Sequence, residues 1–305
     1  MNHFLAMTDL DTPKLQALLD RAAAFKSGRD ETQFRGKTLA LLFEKPSLRT
    51  RTSFEVAIRR LGGHSIYYAP QEIGLGQRES VRDVVLVLSR FVDAIAARTF
   101  AHSTVTEMAR YATIPIVNAL THLEHPCQAV ADLQTLAERQ GGIAGKNVAY
   151  IGDGNNCAIS LLYGCALLGA HYRIAAPEGY ELPADVTERA RAMCAASGGS
   201  LTLLRDPLQA AAGADALYTD VWTSMGQEAE RAERVKVFAD YQINQAALRA
   251  AKPGATILHP LPAHHGEEIV EGILYLDQSA VFDQAENRLW AQMAVLATLF
   301  EDRQA

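Results

Sequence analysis

Between residues 11 and 27, apolar side chains fall at Leu15, Leu18, Leu19 and Ala22, the spacing of one helical face. Asp11 or Thr12 caps this helix, and Pro13 sits in its first turn, where a missing N–H is tolerated. Lys37–Phe43 (KTLALLF) is then an almost continuous apolar run, short enough for a buried strand, and helical spacing returns over 53–61. Residues 64–69 (HSIYYA), Ala94–Arg98 and Pro115–Asn118 read as strands, with helices over Val81–Phe91 and 102–111 between them. RQGGIAG, from Arg139 to Gly145, is a turn-rich break. Beyond it come a strand at Lys146–Ile151, a helix over 157–168, a strand at Tyr172–Ala176, a helix over 183–197, a strand at Ser200–Leu204 and a short helix over 206–213. Strand ends follow at Ala214–Thr219 and Thr256–His259, and an amphipathic helix over 284–302 closes the pattern.

Strands alternating with helices predict an α/β protein, here two domains, each with a central, mainly parallel sheet flanked by helices. The boundaries expected are 1–138 and 139–283, with 284–305 as a C-terminal helix returning to the first domain, because the second is complete without it. At 305 residues and 49% hydrophobic composition the chain can bury two such cores. Its 29 basic and 35 acidic residues form no dominant basic field, which argues against a nucleic-acid partner. No uncharged apolar stretch reaches the length of a membrane span, and MNHFLAMTDLD lacks the layout of a secretory signal. Four cysteines, at 127, 157, 165 and 194, make no CxxC pair, in keeping with a reducing, cytoplasmic setting.

Positions 43–55, FEKPSLRTRTSFE, concentrate two arginines and four hydroxyls. Ser47, Arg49 and Thr50 can converge on one anion at a helix start, where backbone N–H groups lack partners and guanidinium adds paired hydrogen bonds. A capped helix with solvated arginines fits the same spacing, and the two readings coexist. Arg98–Thr99–Phe100–Ala101–His102 places a cation at a strand's C-terminal edge, where open parallel sheets bind ligands. His125–Pro126–Cys127–Gln128 reads as a helix start. GDGNN at 152–156 follows a strand but lacks the GxGxxG spacing of a dinucleotide site. Asp220–Val221–Trp222–Thr223–Ser224–Met225–Gly226 offers a carboxylate for an ammonium group and a thioether for a methylene chain, or else a capped turn with a surface Trp. His259–Pro260–Leu261–Pro262–Ala263 and Glu286–Asn287–Arg288 complete the set.

These segments, in this order, resemble those of the aspartate/ornithine carbamoyltransferase family, and they span positions 43–288. The resemblance implies that Ser47, Leu48, Arg49, Thr50, Arg98, His125, Gln128, Pro260, Leu261 and Arg288 bind carbamoyl phosphate. Arg49, Arg98, His125, Gln128 and Arg288 are then the catalytic set. His125 donates to the carbamoyl oxygen and Gln128 holds the carbamoyl nitrogen, while Arg51 supports its loop by pairing with Glu55. GDGNN and the SMG segment resemble the ornithine branch, which makes Asn156, helped by Asn155, and Asp220, Ser224 and Met225 the ornithine ligands. HPLPA is mixed. Pro260 replaces the cysteine of the ornithine-branch HCLPA, and Ala263 departs from the aspartate-branch HPLPR. By resemblance the Leu261–Pro262 bond is cis.

The implied reaction converts carbamoyl phosphate and L-ornithine to L-citrulline and phosphate, without cofactor or catalytic metal, in arginine biosynthesis. Putrescine, N-acetylornithine or aspartate as acceptor, and a noncatalytic anion or amino-acid binding protein, stay open as alternatives. Residues 71–80 (QEIGLGQRES) resemble the family's mobile loop that reaches a neighbouring subunit's site. This implies a homotrimer, or a higher homo-oligomer, with shared active sites.

Overall fold

The computed structural model describes residues 1–75, 78–224 and 226–303. Among these residues nine strands form two sheets. In the first, β1 (Thr38–Phe43), β2 (His64–Tyr68), β3 (Ala94–Arg98) and β4 (Ile116–Leu120) lie in the order β2-β1-β3-β4. In the second, β5 (Asn147–Ile151), β6 (His171–Ala175), β7 (Ser200–Leu204), β8 (Ala216–Tyr218) and β9 (Thr256–Leu258) lie in the order β7-β6-β5-β8-β9. Every strand pairing among the described residues is parallel. β1 and β3 are buried along almost their whole length, as strands covered on both faces must be.

By contact, residues 1–131 together with those from 287 onward form one compact unit, and 132–286 form the other. The first is cored by Leu42, Val85, Ile95, Val105 and Ile116 among others. The end of the last helix belongs to it: Lys26 Nζ donates to Asn287 Oδ1 at 2.8 Å, and the Phe34 and Phe300 rings stand 5.2 Å apart. The second unit is cored by Ile151, Leu217, Ile243, Ile257 and Val281.

Local capping follows the expected chemistry. Asp11 accepts the Lys14 N–H at 2.8 Å and opens helix Thr12–Lys26. Five elements differ from the pattern reading. The helix after β1 runs Leu48–Arg60, so it starts five residues earlier than its apolar stripe, because its first turn is polar and is capped by Ser47. Pro126–Gln140 is a full helix whose residues from Cys127 to Leu136 are all buried, Gln128, Asp132, Gln134 and Thr135 included, so its polar positions do not mark a solvent face. Helices Arg231–Val237 and Gln245–Ala250 occupy a stretch without clear periodicity. The last helix begins at Val281.

Gly154 packs where no side chain fits. A Cβ there would lie 2.6 Å from the Glu181 carbonyl carbon and from the Leu182 nitrogen, both backbone atoms. Gly154→Ala is therefore expected to destabilise the protein by about 1–3 kcal/mol, seen as a lower midpoint in thermal or urea unfolding.

Candidate functional site

In each sheet the strand order reverses about an inner pair, and ligands of open parallel sheets bind beyond the C-terminal ends of such a pair. In the first unit the pair is β1 and β3. Phe43 stands in register with Arg98, and the Arg98 carbonyl accepts the Glu44 N–H at 2.8 Å. The segment leaving β1 thus starts beside the residue that closes β3.

Ser47, in extended conformation, caps helix Leu48–Arg60: its hydroxyl accepts the Thr50 N–H at 3.3 Å. Leu48 is exposed and opens the helix, where first-turn backbone N–H groups lack partners within the helix. Arg49 is half-buried, and burial draws it down from the ordinary guanidinium value. The buried Thr50 hydroxyl accepts from Arg288 Nη2 at 2.7 Å, which ties the last helix to the N-terminus of this one. Arg51 pairs with Glu55 at 2.9 Å and lies over the Tyr67 ring at 3.8 Å. Phe54 is in the core.

Arg98, His125, Gln128 and Arg288 are all buried. His125 titrates well below the usual imidazole range, first through burial and then through the charges of Arg288 and Arg98. It is therefore a neutral imidazole placed where two guanidiniums act on it. Gln128 follows one turn on, its N–H donated to the His125 carbonyl at 3.0 Å. Arg98 and Arg288 both act on His125, and Arg288 meets Thr50 in the first turn of helix Leu48–Arg60, so guanidiniums, a helix N-terminus and a neutral hydrogen-bond donor are at hand, the chemistry by which an anion can be held.

In the second unit the inner pair is β5 and β8, with Tyr150 in register with Tyr218. The Asn155 Oδ1 caps helix Asn156–Leu167, accepting from Cys157 N at 3.0 Å and Ala158 N at 3.1 Å. Its amide nitrogen donates to Asp220 Oδ2 at 2.8 Å. Asn155 therefore holds the carboxylate, and Asn156, half-buried, occupies the first helical position. Burial raises the Asp220 carboxyl, opposed by His259, its own Val221 N–H and Asn155. Asp153, whose carboxylate meets Arg234 Nη2, is pushed up to about 6 by burial despite that guanidinium. Ser224 is half-buried and donates its N–H to Gln227 Oε1 at 3.1 Å. Met225 lies outside the described residues. Trp222 is not a surface residue: it is buried and stacks on Phe238 at 5.9 Å.

Pro260 and Leu261 belong to the second unit, in a turn with Leu261 at φ 57° and a cis Leu261–Pro262 bond. His259 organises that turn. Its Nδ1 accepts the Leu261 N–H at 2.9 Å, which leaves the proton on Nε2, donated to the fully buried Glu268 Oε1 at 3.0 Å. The roles of Glu268 and Arg234 escape a sequence reading, because neither lies in a motif. Glu268 ends the polar run at 264–268 and Arg234 lies among Arg231, Glu233 and Lys236, so neither carries a mark of the partner it will meet. Of the segment 71–80, Gly76 and Gln77 lie outside the described residues, and Pro70–Ile73 forms a helical turn.

All four cysteines are free thiols and buried, and burial pushes Cys127, beside His125 and Gln128, up to about 12. With no thiol at 260, brief treatment with iodoacetamide at pH 8 is expected to leave turnover unchanged. Steady-state assay and intact mass after the reagent check this.

Two family models match the chain: aspartate/ornithine carbamoyltransferase, carbamoyl-P binding domain, over residues 2–138, and the Asp/Orn binding domain of the same family over 144–299. A Gloeobacter violaceus protein described as ornithine carbamoyltransferase is 50% identical over 299 residues, covering 98% of this chain and 96% of that one. A Pyrococcus furiosus protein described as the anabolic ornithine carbamoyltransferase is 48% identical over 297 residues, covering 96% and 94%. The solved Pyrococcus furiosus ornithine carbamoyltransferase superposes with a TM-score of 0.94 at 47% identity, covering 97% of this chain and 96% of that one.

Proposed function

This chain belongs to the aspartate/ornithine carbamoyltransferase family, and on that premise we propose that it transfers the carbamoyl group of carbamoyl phosphate to the δ-amine of L-ornithine, giving L-citrulline and phosphate. The observation that carries the choice of acceptor is the buried Asp220 carboxylate, held by Asn155 at the reversal point of the second sheet. An acidic acceptor subsite suits a diamino acid and repels the second carboxylate of aspartate.

The phosphate of the donor sits at the N-terminus of helix Leu48–Arg60, against Ser47, the backbone of Leu48, Arg49 and Thr50, with Arg98 and Arg288 beside it. His125 donates a hydrogen bond to the carbamoyl oxygen, and because it is neutral it does so without giving its proton away. Gln128 and the turn at Pro260 and Leu261 orient the carbamoyl nitrogen. Asn156, Asp220, Ser224 and Met225 take the amino-acid end of ornithine. The neutral δ-amine attacks the carbamoyl carbon, the C–O bond to phosphate breaks, and the departing phosphate accepts the amine proton. Arg49, Arg98 and Arg288 stabilise the charge that collects on the leaving group. Orientation of two bound reactants supplies the rest.

The decisive experiment offers carbamoyl phosphate with ornithine, putrescine, N-acetylornithine and aspartate in turn, and measures the carbamoylated product by mass. Ornithine-dependent citrulline supports the reading, whereas product only from another amine, or binding of both substrates with no product, overturns it. Pro260, in place of the branch's cysteine, is why the other amines are included.

The pH profile is set by the amine. Its free pKa is near that of lysine, about 10, so kcat/KM for ornithine is expected to rise about tenfold per pH unit between pH 6 and 8. His125 adds no break there, since its lowered pKa keeps it neutral above the ordinary imidazole value. A bend near 6.5 that vanishes in His125→Asn would contradict this. We also infer a cytoplasmic, arginine-forming enzyme that assembles as a homotrimer or higher homo-oligomer. The anabolic Pyrococcus furiosus relative supports the direction, and light scattering tests the assembly.

A further inference from the structure

The turn after Pro262 gathers three potential ligand atoms that the proposed transfer chemistry does not use. His264 Nδ1, Glu267 Oε2 and Glu268 Oε2 are each buried and have no hydrogen-bond partner. They lie within 4.8 Å of one another, with His264 Nδ1 at 3.7 Å from Glu267 Oε2 and at 4.0 Å from Glu268 Oε2. Among the described residues this is the one group of three His, Cys, Asp or Glu side chains so placed. Those separations are too long for hydrogen bonds. The two His264 separations fall within the spacing of ligands around one ion: donors at 2.0–2.2 Å from zinc stand roughly 3–4.2 Å from each other.

The opposite oxygen of each carboxylate is already held. Glu268 Oε1 accepts from His259 Nε2 at 3.0 Å and from the His264 N–H at 2.6 Å, and Glu267 Oε1 accepts from Arg231 Nη2. Such outer bonds orient a ligand carboxylate and leave its second oxygen for the ion. Glu268 is fully buried, so its second oxygen has no water to turn to. The backbone is set by a tight turn in which the Glu267 N–H meets the His264 carbonyl at 3.0 Å, with Gly266 at φ 88°. The His264 side chain is 40% exposed, so the ring that carries the buried Nδ1 reaches the surface and offers an ion an entry path.

We propose that His264, Glu267 and Glu268 form a binding site for a divalent cation with zinc-like preferences. One imidazole and two carboxylates select borderline metals over Ca²⁺ and Mg²⁺, which take more oxygens. Since Glu268 also holds His259, and His259 holds the Leu261 N–H, occupancy is linked to the turn that carries Pro260 and Leu261.

The test uses the untagged full chain, stripped with EDTA and dialysed, without substrate, so its outcome is separate from that of the proposed transfer reaction. Zn²⁺ is titrated by calorimetry, and Co²⁺ absorption reports the ligand field. About one Zn²⁺ per chain is expected, with affinity falling about 10–100-fold in both His264→Ala and Glu267→Gln. His265→Ala, altering the exposed neighbour that stacks on Tyr275, is expected to bind as the parent does. Circular dichroism in EDTA verifies that each variant folds. Binding well below one equivalent, or binding unchanged in folded His264→Ala and Glu267→Gln, overturns the site.

Discussion

Arg98→Ala is expected to lower kcat about a hundred- to a thousandfold, the usual cost of removing one preorganised donor from a site of developing negative charge. Arg98 ends β3 beside Phe43, is buried, and acts on His125 through its charge. Two effects should therefore appear together. Turnover falls because the leaving phosphate loses a cation, and the His125 pKa climbs back toward the ordinary imidazole value because a like charge has gone. The second effect is measured directly by imidazole NMR titration and would not accompany mere loosening of the sheet. Arg98→Lys keeps the charge without the paired geometry and is expected to fall between the two. If Arg98→Ala turns over like the parent while folded, the anion half of the site has been misassigned.

Asp220→Asn is expected to cost about two to three orders of magnitude in kcat/KM for ornithine, the scale of loss when one partner of a buried charge pair is removed. The change is nearly isosteric, so Asn155 keeps a neighbour, yet the site no longer offers a full negative charge to the ammonium group. The dissociation constant for carbamoyl phosphate, measured alone, should change much less, because Ser47, Arg49, Thr50, Arg98, His125, Gln128 and Arg288 belong to the other compact unit and only the turn at Pro260 and Leu261 shares a unit with Asp220. Equal losses for both substrates would point to a general folding defect, and an unchanged KM for ornithine would remove Asp220 from the acceptor site.

Legible in the chain alone was whatever a short stretch encodes by itself. KTLALLF announced a covered strand, and the Asp11–Thr12 pair a cap, which the structure gives to Asp11. Arg51 with Glu55, four apart on one helix, was legible for the same reason. The reading failed where local pattern is silent. The first turn of helix Leu48–Arg60 is polar and hid its start, and the helix from Pro126 is buried all round and shows no stripe. Asn155 and Asn156 are neighbours with the same chemistry, so only the path of the backbone could show which one caps the helix and grips Asp220.

The sequence by itself determined the alternating element order, the two-sheet class and the stock of donors, because periodicity and side-chain chemistry operate over a few residues. The tertiary structure alone decided which of them meet. Thr50 and Arg288 are separated by 238 positions, Asp153 and Arg234 by 81, and Asn155 and Asp220 by 65. Asn155 and Asp220 meet because parallel register sets the ends of β5 and β8 side by side, whereas Arg288 and Arg234 are brought in by helices distant in the chain. A histidine kept neutral by burial and then by two arginine charges, and three unpaired polar atoms left facing one another after Pro262, are consequences of that packing.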